Sequence, residues 1–82
     1  MIDILFLTPE DLNANGKEKS IRELNYTDIA NSYDIFKKAN HIFYLNNNEN
    51  VFRILKSRLP YTDIIYDMKY LDYEINRLIE AL

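Results

Sequence analysis

The sequence predicts a small α/β or α+β domain in which helices dominate, and three observations lead to this prediction. Two short apolar segments, Ile2 to Leu7 and Ile42 to Leu45, have the length and composition of strands. Apolar residues recur at helical spacing after each of these segments, most regularly in the C-terminal third of the chain. A length of 82 residues leaves room for one domain, which we assign to residues 1–82.

Composition and charge exclude several classes of protein. Hydrophobic residues make up 48% and charged residues 28%, as in a folded globular protein rather than a disordered one. The chain has no cysteine and one histidine, which excludes disulfides and sites built from thiolates or clustered imidazoles, so we expect no metal and no cofactor. No apolar run approaches the length of a membrane span or a signal peptide, and we expect a cytoplasmic protein without membrane contact.

The N-terminal half predicts a strand, a short helical segment and then a longer helix. Ile2 to Leu7 is the strand. Thr8 and Pro9 suit the cap and the first position of a helix, which Asn13 to Gly16 ends as a turn. From Thr27 to Asn40 the spacing becomes helical, and one face of this helix collects Tyr26, Ile29, Tyr33 and Phe36.

The C-terminal half predicts a second strand followed by two helices. Ile42 to Leu45 is the strand, and Asn46 to Asn50 closes it as a turn. Val51 to Leu59 has helical spacing, and Pro60 ends this helix. A long last helix runs from about Asp63 to the C-terminus. The order is therefore β-(α)-α-β-α-α, and a crossover of this length predicts that the two short strands are parallel.

A sheet of two strands is rarely stable alone, so something must complete it. Three alternatives remain open: a further strand that the pattern does not reveal, helices that cover both faces, or a second chain that joins the sheet edge. Natural proteins seldom leave sheet edges open, and we therefore expect a homodimer.

The C-terminal helix carries a regular apolar seam. Its residues alternate three and four positions apart, as in a heptad repeat, and neighbouring isoleucines widen it. A widened seam is typical of a helix that faces the core of its own domain, and pairing with a second copy is the alternative. The residues of the seam are Tyr61, Ile64, Met68, Leu71, Ile75, Leu78 and Leu82.

Aromatic residues occupy the opposite side of the same helix, where charged residues are expected. Tyr66, Tyr70, Tyr73 and Arg77 fall within ~60° of one another at the helical spacing of about 100° per residue. Tyrosine and arginine are enriched in protein interfaces and in their hot spots because they bury a large area with few rotatable bonds. These four residues are the predicted partner-binding site.

No group of residues predicts catalysis. His41 has no serine or acidic residue at the spacing of a catalytic triad. Asn15 to Glu18 matches a phosphate-binding loop only in part, because the chain has one glycine and lacks the hydroxyl residue after the lysine. We therefore expect no enzymatic activity and assign no catalytic residue.

These observations predict a small acidic module that binds another protein. The net charge is −3, and nearly half of the residues are Ile, Asn, Lys, Tyr or Phe, whose codons are AT-rich. Both features fit an inhibitor encoded by a phage or mobile element that occludes a host nuclease or defence complex in the host cytoplasm. The alternative is a small nucleic-acid-binding or regulatory domain that uses the basic helix of residues 51–59 through Arg53, Lys56 and Arg58.

Overall fold

A four-stranded mixed sheet lies at the centre of the computed structural model, which describes residues 4–60 and 62–81. The strands are β1 (Ile4–Leu7), β2 (His41–Asn46), β3 (Val51–Lys56) and β4 (Ile65–Asp67), in the order β1-β2-β3-β4. β1 pairs with β2 in parallel, as predicted, whereas β2 with β3 and β3 with β4 are antiparallel. The protein is therefore a small α+β domain, one of the two predicted classes.

Short helices lie between β1 and β2, and a longer helix follows β4. The helices are α1 (Ala14–Lys17), α2 (Ser32–Lys38) and α3 (Leu71–Glu80). Short 3-10 segments occur at Pro9–Asp11, Tyr26–Asp28 and Met68–Tyr70, the last of which runs directly into α3.

The sheet is covered on both sides because successive side chains of each strand point to opposite faces. On the side that we call the α2 face, β1 and β2 pack against α2 and the irregular segment that precedes it. On the side that we call the α3 face, β2 and β3 pack against α3. The buried apolar residues are Leu7, Leu12, Ile21, Leu24, Ile29, Ala39, Ile42 and Tyr44 on the α2 face, and Phe43, Phe52, Ile54 and Leu78 on the α3 face.

The prediction of a helix from Val51 to Leu59 is wrong, because this segment contains strand β3. Phe52 and Ile54 pack on the α3 face, whereas Leu55 packs on the α2 face. Because both faces of the sheet are covered, apolar residues occur at most positions of β3 and hide the alternation that marks a half-exposed strand. A continuous apolar run of this length fits a helix or a buried strand equally well.

The turn between β2 and β3 is confirmed, and asparagines build it. Asn46 Oδ1 accepts a hydrogen bond from Glu49 N at 3.0 Å, and Asn50 has a left-handed φ of 58°. Asparagine adopts this conformation more readily than most residues other than glycine. The turn makes β2 and β3 a hairpin, in which Asn46 pairs with Val51.

The C-terminal helix begins later than predicted, because Ile65–Asp67 forms β4 beside β3. Asp67 Oδ1 then accepts a hydrogen bond from Lys69 N at 3.0 Å and caps the 3-10 segment that leads into α3. Two strands that the pattern did not predict thus complete the sheet, and helical segments cover both of its faces.

The predicted seam is confirmed where it lies on α3. Leu71, Ile75 and Leu78 pack on the α3 face, and Met68 joins the same core from the 3-10 segment. Ile64 precedes β4 and is exposed. The α3 part of the seam faces its own core, so it does not form a pairing surface for a second copy. The seam positions Tyr61 and Leu82 lie outside the described residues.

The first helical start is confirmed, but the turn predicted after it is helical. Thr8 N donates a hydrogen bond to Asp11 Oδ2 at 2.8 Å and so caps the segment that begins at Pro9. Asn13 caps α1, because its Oδ1 atom accepts a hydrogen bond from Gly16 N at 3.0 Å.

The predicted helix of residues 27–40 is interrupted. Tyr26–Asp28 forms a 3-10 segment, and α2 begins only after Asn31, whose φ of 57° is left-handed. Ile29 lies between the two and pairs with Leu12 in an isolated bridge. Tyr33, which the helical spacing placed on one face with Ile29 and Phe36, is 76% exposed.

Candidate functional site

The outer side of α3 carries two exposed tyrosines and an arginine. Tyr70, at the start of the helix, is 47% exposed, and Tyr73 is 61% exposed. Arg77 follows one turn after Tyr73, so the three residues occupy one side of the helix. The opposite side packs into the α3 face. We call Tyr70, Tyr73 and Arg77 the tyrosine–arginine patch.

Cations lie against both exposed rings. The Arg77 guanidinium is 5.7 Å from the centroid of the Tyr73 ring. Lys69 Nζ is 5.2 Å from the centroid of the Tyr70 ring. The electron-rich ring faces attract these cations, which limits the conformations that the four side chains adopt.

A buried carboxylate holds the arginine of the patch. Glu74 Oε1 lies 3.3 Å from Arg77 Nη1, and Glu74 is 4% exposed. A buried charge needs a compensating partner, which Arg77 supplies. Glu74 was not among the predicted site residues, although its position on the core side of α3, beside Leu71 and Leu78, was a usable signal. The ion pair restricts the position of the guanidinium on the outer side of α3.

Tyr66 does not lie on the helix with the other predicted binding residues. It lies on β4, and its ring stacks on Phe52 with 5.1 Å between ring centroids. The helical spacing placed it beside Tyr70 because the prediction assumed one continuous helix from Asp63. Tyr66 therefore contributes to the core of the α3 face, and its predicted place on the helical arc is corrected.

The basic helix of the alternative prediction is absent, and Arg53 is used inside the fold. Arg53 Nη1 donates hydrogen bonds to the carbonyl oxygens of Ile21, at 2.9 Å, and Leu24, at 2.6 Å. Its Nη2 atom forms an ion pair with Asp63 Oδ1 at 2.9 Å. Since the Arg53 side chain is 11% exposed, it holds the segment that covers the α2 face rather than presenting charge to solvent.

The other two basic residues also have partners within the chain. Lys56 Nζ donates a hydrogen bond to the carbonyl oxygen of Phe36, in the last turn of α2. Arg58 Nη2 donates one to Asn40 Oδ1 at 3.3 Å. The geometry therefore joins Arg53, Lys56 and Arg58 to three different parts of the α2 face instead of forming one basic surface.

His41 forms a pair that the sequence spacing did not reveal. It is buried, and its Nδ1 atom lies 3.1 Å from Ser57 Oγ, just beyond the end of β3. Ser57 Oγ also accepts a hydrogen bond from Leu59 N at 3.1 Å. The serine oxygen therefore shapes the loop after β3, and this pair links that loop to β2.

A cavity of about 430 Å³ lies where the parallel strands β1 and β2 end. Ligands often bind at such a position in α/β proteins, but here Glu10 is the single charged residue in the lining. Within residues 4–60 and 62–81, no group of His, Asp and Glu side chains has the arrangement of a metal site. The lining residues are Thr8, Pro9, Glu10, Leu45, Asn47 and Asn48.

Comparison with known proteins gives no relative for this chain. No protein-family model, curated protein or solved structure matches it. None of the helices among the described residues is both long enough and apolar enough to cross a membrane.

Proposed function

We propose that this chain is a non-enzymatic module that binds another protein through the tyrosine–arginine patch. The observation that carries the proposal is the exposure of two tyrosine rings beside an arginine that Glu74 already holds in position. Tyrosine and arginine are the residue types that contribute most to protein interfaces. Restricted rings and a fixed guanidinium bind with little further loss of entropy.

The exposure of Tyr70 and Tyr73 on the outer side of α3 supports the same surface. Apolar and aromatic surface on a solvent-facing helix has a cost in solubility, which a bound partner removes. The core does not need these side chains, because Leu71, Ile75 and Leu78 supply the contacts with the sheet.

We propose further that the partner is a host nuclease or defence complex and that the chain occludes its nucleic-acid channel. The net charge of −3 favours association with a basic surface, and Asp72 and Glu80 are exposed carboxylates on α3 itself. The abundance of residues whose codons are AT-rich fits a gene of a phage or mobile element. The protein would then act in the host cytoplasm. The chain is active as a homodimer in this proposal.

Nucleic-acid binding is the competing function, and no contact of the described residues favours it. Arg53 and Lys56 are bound to backbone carbonyls of the α2 face. Nucleic-acid affinity falls steeply with salt, in proportion to the phosphates contacted. A mobility shift with DNA and RNA at low salt therefore distinguishes the two functions.

The test is a pull-down experiment. The wild-type chain and two variants are immobilised, and each is used to capture proteins from the lysate of a bacterium with an AT-rich genome. Tyr70→Ser with Tyr73→Ser removes both rings of the patch. Tyr33→Ser is the control, because Tyr33 is a still more exposed tyrosine that lies on α2, away from the patch. We expect a protein that wild type and the control retain and the double variant loses. Mass spectrometry identifies it, and its purified form allows affinity and activity to be measured.

Each hot-spot tyrosine contributes about 2 kcal/mol or more, so binding should weaken at least ~30-fold for each ring that is removed. Circular dichroism must show that the double variant is folded. Occlusion predicts that excess wild-type chain also inhibits nucleic-acid binding by the captured protein. A folded double variant that retains the same proteins with the same affinity would show that the patch is not the binding surface.

A further inference from the structure

β1 is an edge strand without the features that protect sheet edges. Within the described part of the chain, β2 is the strand that pairs with it. All four residues of Ile4–Leu7 are apolar, and the strand contains no charge, proline or bulge that would prevent pairing. The opposite edge differs, because β4 has three residues and ends at the charged Asp67.

Apolar surface continues beside this edge on both faces of the sheet. On the α3 face, Phe6 is 43% exposed, and its ring meets Phe43 edge-on at 5.8 Å. On the α2 face, a cavity of about 280 Å³ lies between β1 and α2, and Leu5, Ile35 and Ala39 supply its apolar lining. A strand that pairs with β1 therefore also covers apolar surface above and below it.

The charges at the same cavity are complementary to those of a second copy. Asp34 and Lys38 line it one turn apart on α2, both are exposed, and neither has an ion-pair partner among the described residues. Antiparallel pairing of two β1 strands requires a two-fold axis perpendicular to the sheet. That axis keeps both α2 helices on the same side of the joined sheet and makes them antiparallel. Asp34 of each subunit then faces Lys38 of the partner subunit, so the dimer contains two such contacts.

We infer that the homodimer forms by antiparallel pairing of β1 with β1 of a second copy, which joins the two sheets into one. The inference rests on the homodimer of the proposed function and names its surface. The tyrosine–arginine patch lies on α3 and stays free for a different protein, so each dimer presents two patches.

Light scattering and sedimentation give the first test. Wild type should form particles of twice the 9.8 kDa chain mass at micromolar concentration. Phe6→Lys places a charge at the edge of the sheet and should raise the Kd of the dimer at least ~100-fold. Tyr73→Lys adds the same charge within the patch and should leave the dimer intact.

A charge exchange tests the contact between the α2 helices without altering the core. Asp34→Lys brings lysine against lysine and should weaken the dimer about tenfold. Adding Lys38→Asp to the same chain restores the opposite charges at both contacts and should restore dimerisation. A double variant that remains as weak as Asp34→Lys contradicts the placement of α2 beside α2 and overturns the inference.

Hydrogen exchange of the unaltered protein locates the surface directly. The amides of Ile4–Leu7 that point away from β2 should exchange more slowly as concentration rises, whereas those of Ile65–Asp67 should not change. Protection that appears instead at β4 or on α3 would show that the dimer forms through another surface. That result overturns the assignment of β1 but not the homodimer itself. A single-chain mass at high micromolar concentration overturns both, and neither result bears on the patch.

Discussion

The two faces of the sheet are held by different kinds of interaction. On the α3 face, one helix of ten residues packs on a stack of rings: Phe43 lies on Phe52 at 5.9 Å, and Phe52 on Tyr66 at 5.1 Å. On the α2 face, the cover consists of short helices and irregular chain. Charged side chains bind its backbone there.

The difference follows from backbone hydrogen bonding. A helix as long as α3 satisfies most of its own amide and carbonyl groups, whereas short segments leave many of theirs unpaired. On the α2 face, Arg53 and Lys56 reach from β3 to carbonyls of the cover. Lys19 and Asp28 join two parts of the cover itself. Charged residues on such a face stabilise the fold by binding its backbone. The number of charged residues in the sequence therefore does not indicate how much charge the surface presents to solvent.

The largest expected effect is on the α3 face, where Phe52→Ala removes the middle ring of the stack. Phe52 is fully buried, and loss of a buried phenylalanine costs about 3–5 kcal/mol of unfolding free energy. Phe36→Ala is the control, because Phe36 is a partly buried phenylalanine that packs on the α2 face, outside the stack. Urea denaturation should show a much smaller loss for the control. Equal losses would mean that the stack does not hold this face.

A smaller effect is expected on the α2 face from Arg53→Met, which keeps an apolar stem and removes the guanidinium. Two carbonyls lose a charged donor, and such hydrogen bonds contribute about 1.5–3 kcal/mol. Arg58→Met is the control, because Arg58 is exposed and its removal should change stability by less than about 0.5 kcal/mol. If both variants are equally stable, the contacts of Arg53 do not hold the α2 face.

The same contrast explains what the sequence predicted. Short apolar runs predicted β1 and β2, because these strands are bounded by turn residues and covered on both faces. The packing side of α3 was predicted because helical spacing depends on local geometry alone. Tyr70, Tyr73 and Arg77 lie on one side of α3, as the spacing predicted, for that reason.

β3, β4 and the role of Tyr66 were not predictable in the same way. Apolar residues on both sides of β3 remove the alternation that distinguishes a strand from a helix. The spacing of Ile64 and Met68 continues the pattern of α3, although β4 lies between them. Tyr66 is partly buried against Phe52, its partner on the neighbouring strand, and the contacts of Arg53 likewise depend on segments distant in sequence. Local patterns carry no information about such partners.

The smallest expected effect, and the one that depends on pH, concerns Asp28. Its carboxylate accepts hydrogen bonds from Asn25 N and from Lys19 Nζ, each at 3.0 Å. These contacts, the backbone bond first, hold the pKa of Asp28 below its ordinary value of 3.8, although burial acts in the opposite direction. Because the folded pKa is the lower one, the stabilisation is full above the unfolded pKa and is lost as pH falls through the folded pKa.

Asp28→Asn tests this assignment, because its amide does not titrate in this range. Urea denaturation between about pH 7 and pH 2 should show that wild type is the more stable at neutral pH and that the difference shrinks on acidification. Lys19→Met removes the ammonium and keeps the Asn25 bond, so its acid-induced loss should fall between those of wild type and Asp28→Asn. If the free energy of unfolding depends on pH in the same way for wild type and Asp28→Asn, the Asp28 carboxylate does not make the stability of the α2 face depend on pH. The α3 face offers the internal reference: Phe52→Ala removes no ionisable group, so its loss should stay constant over the same range.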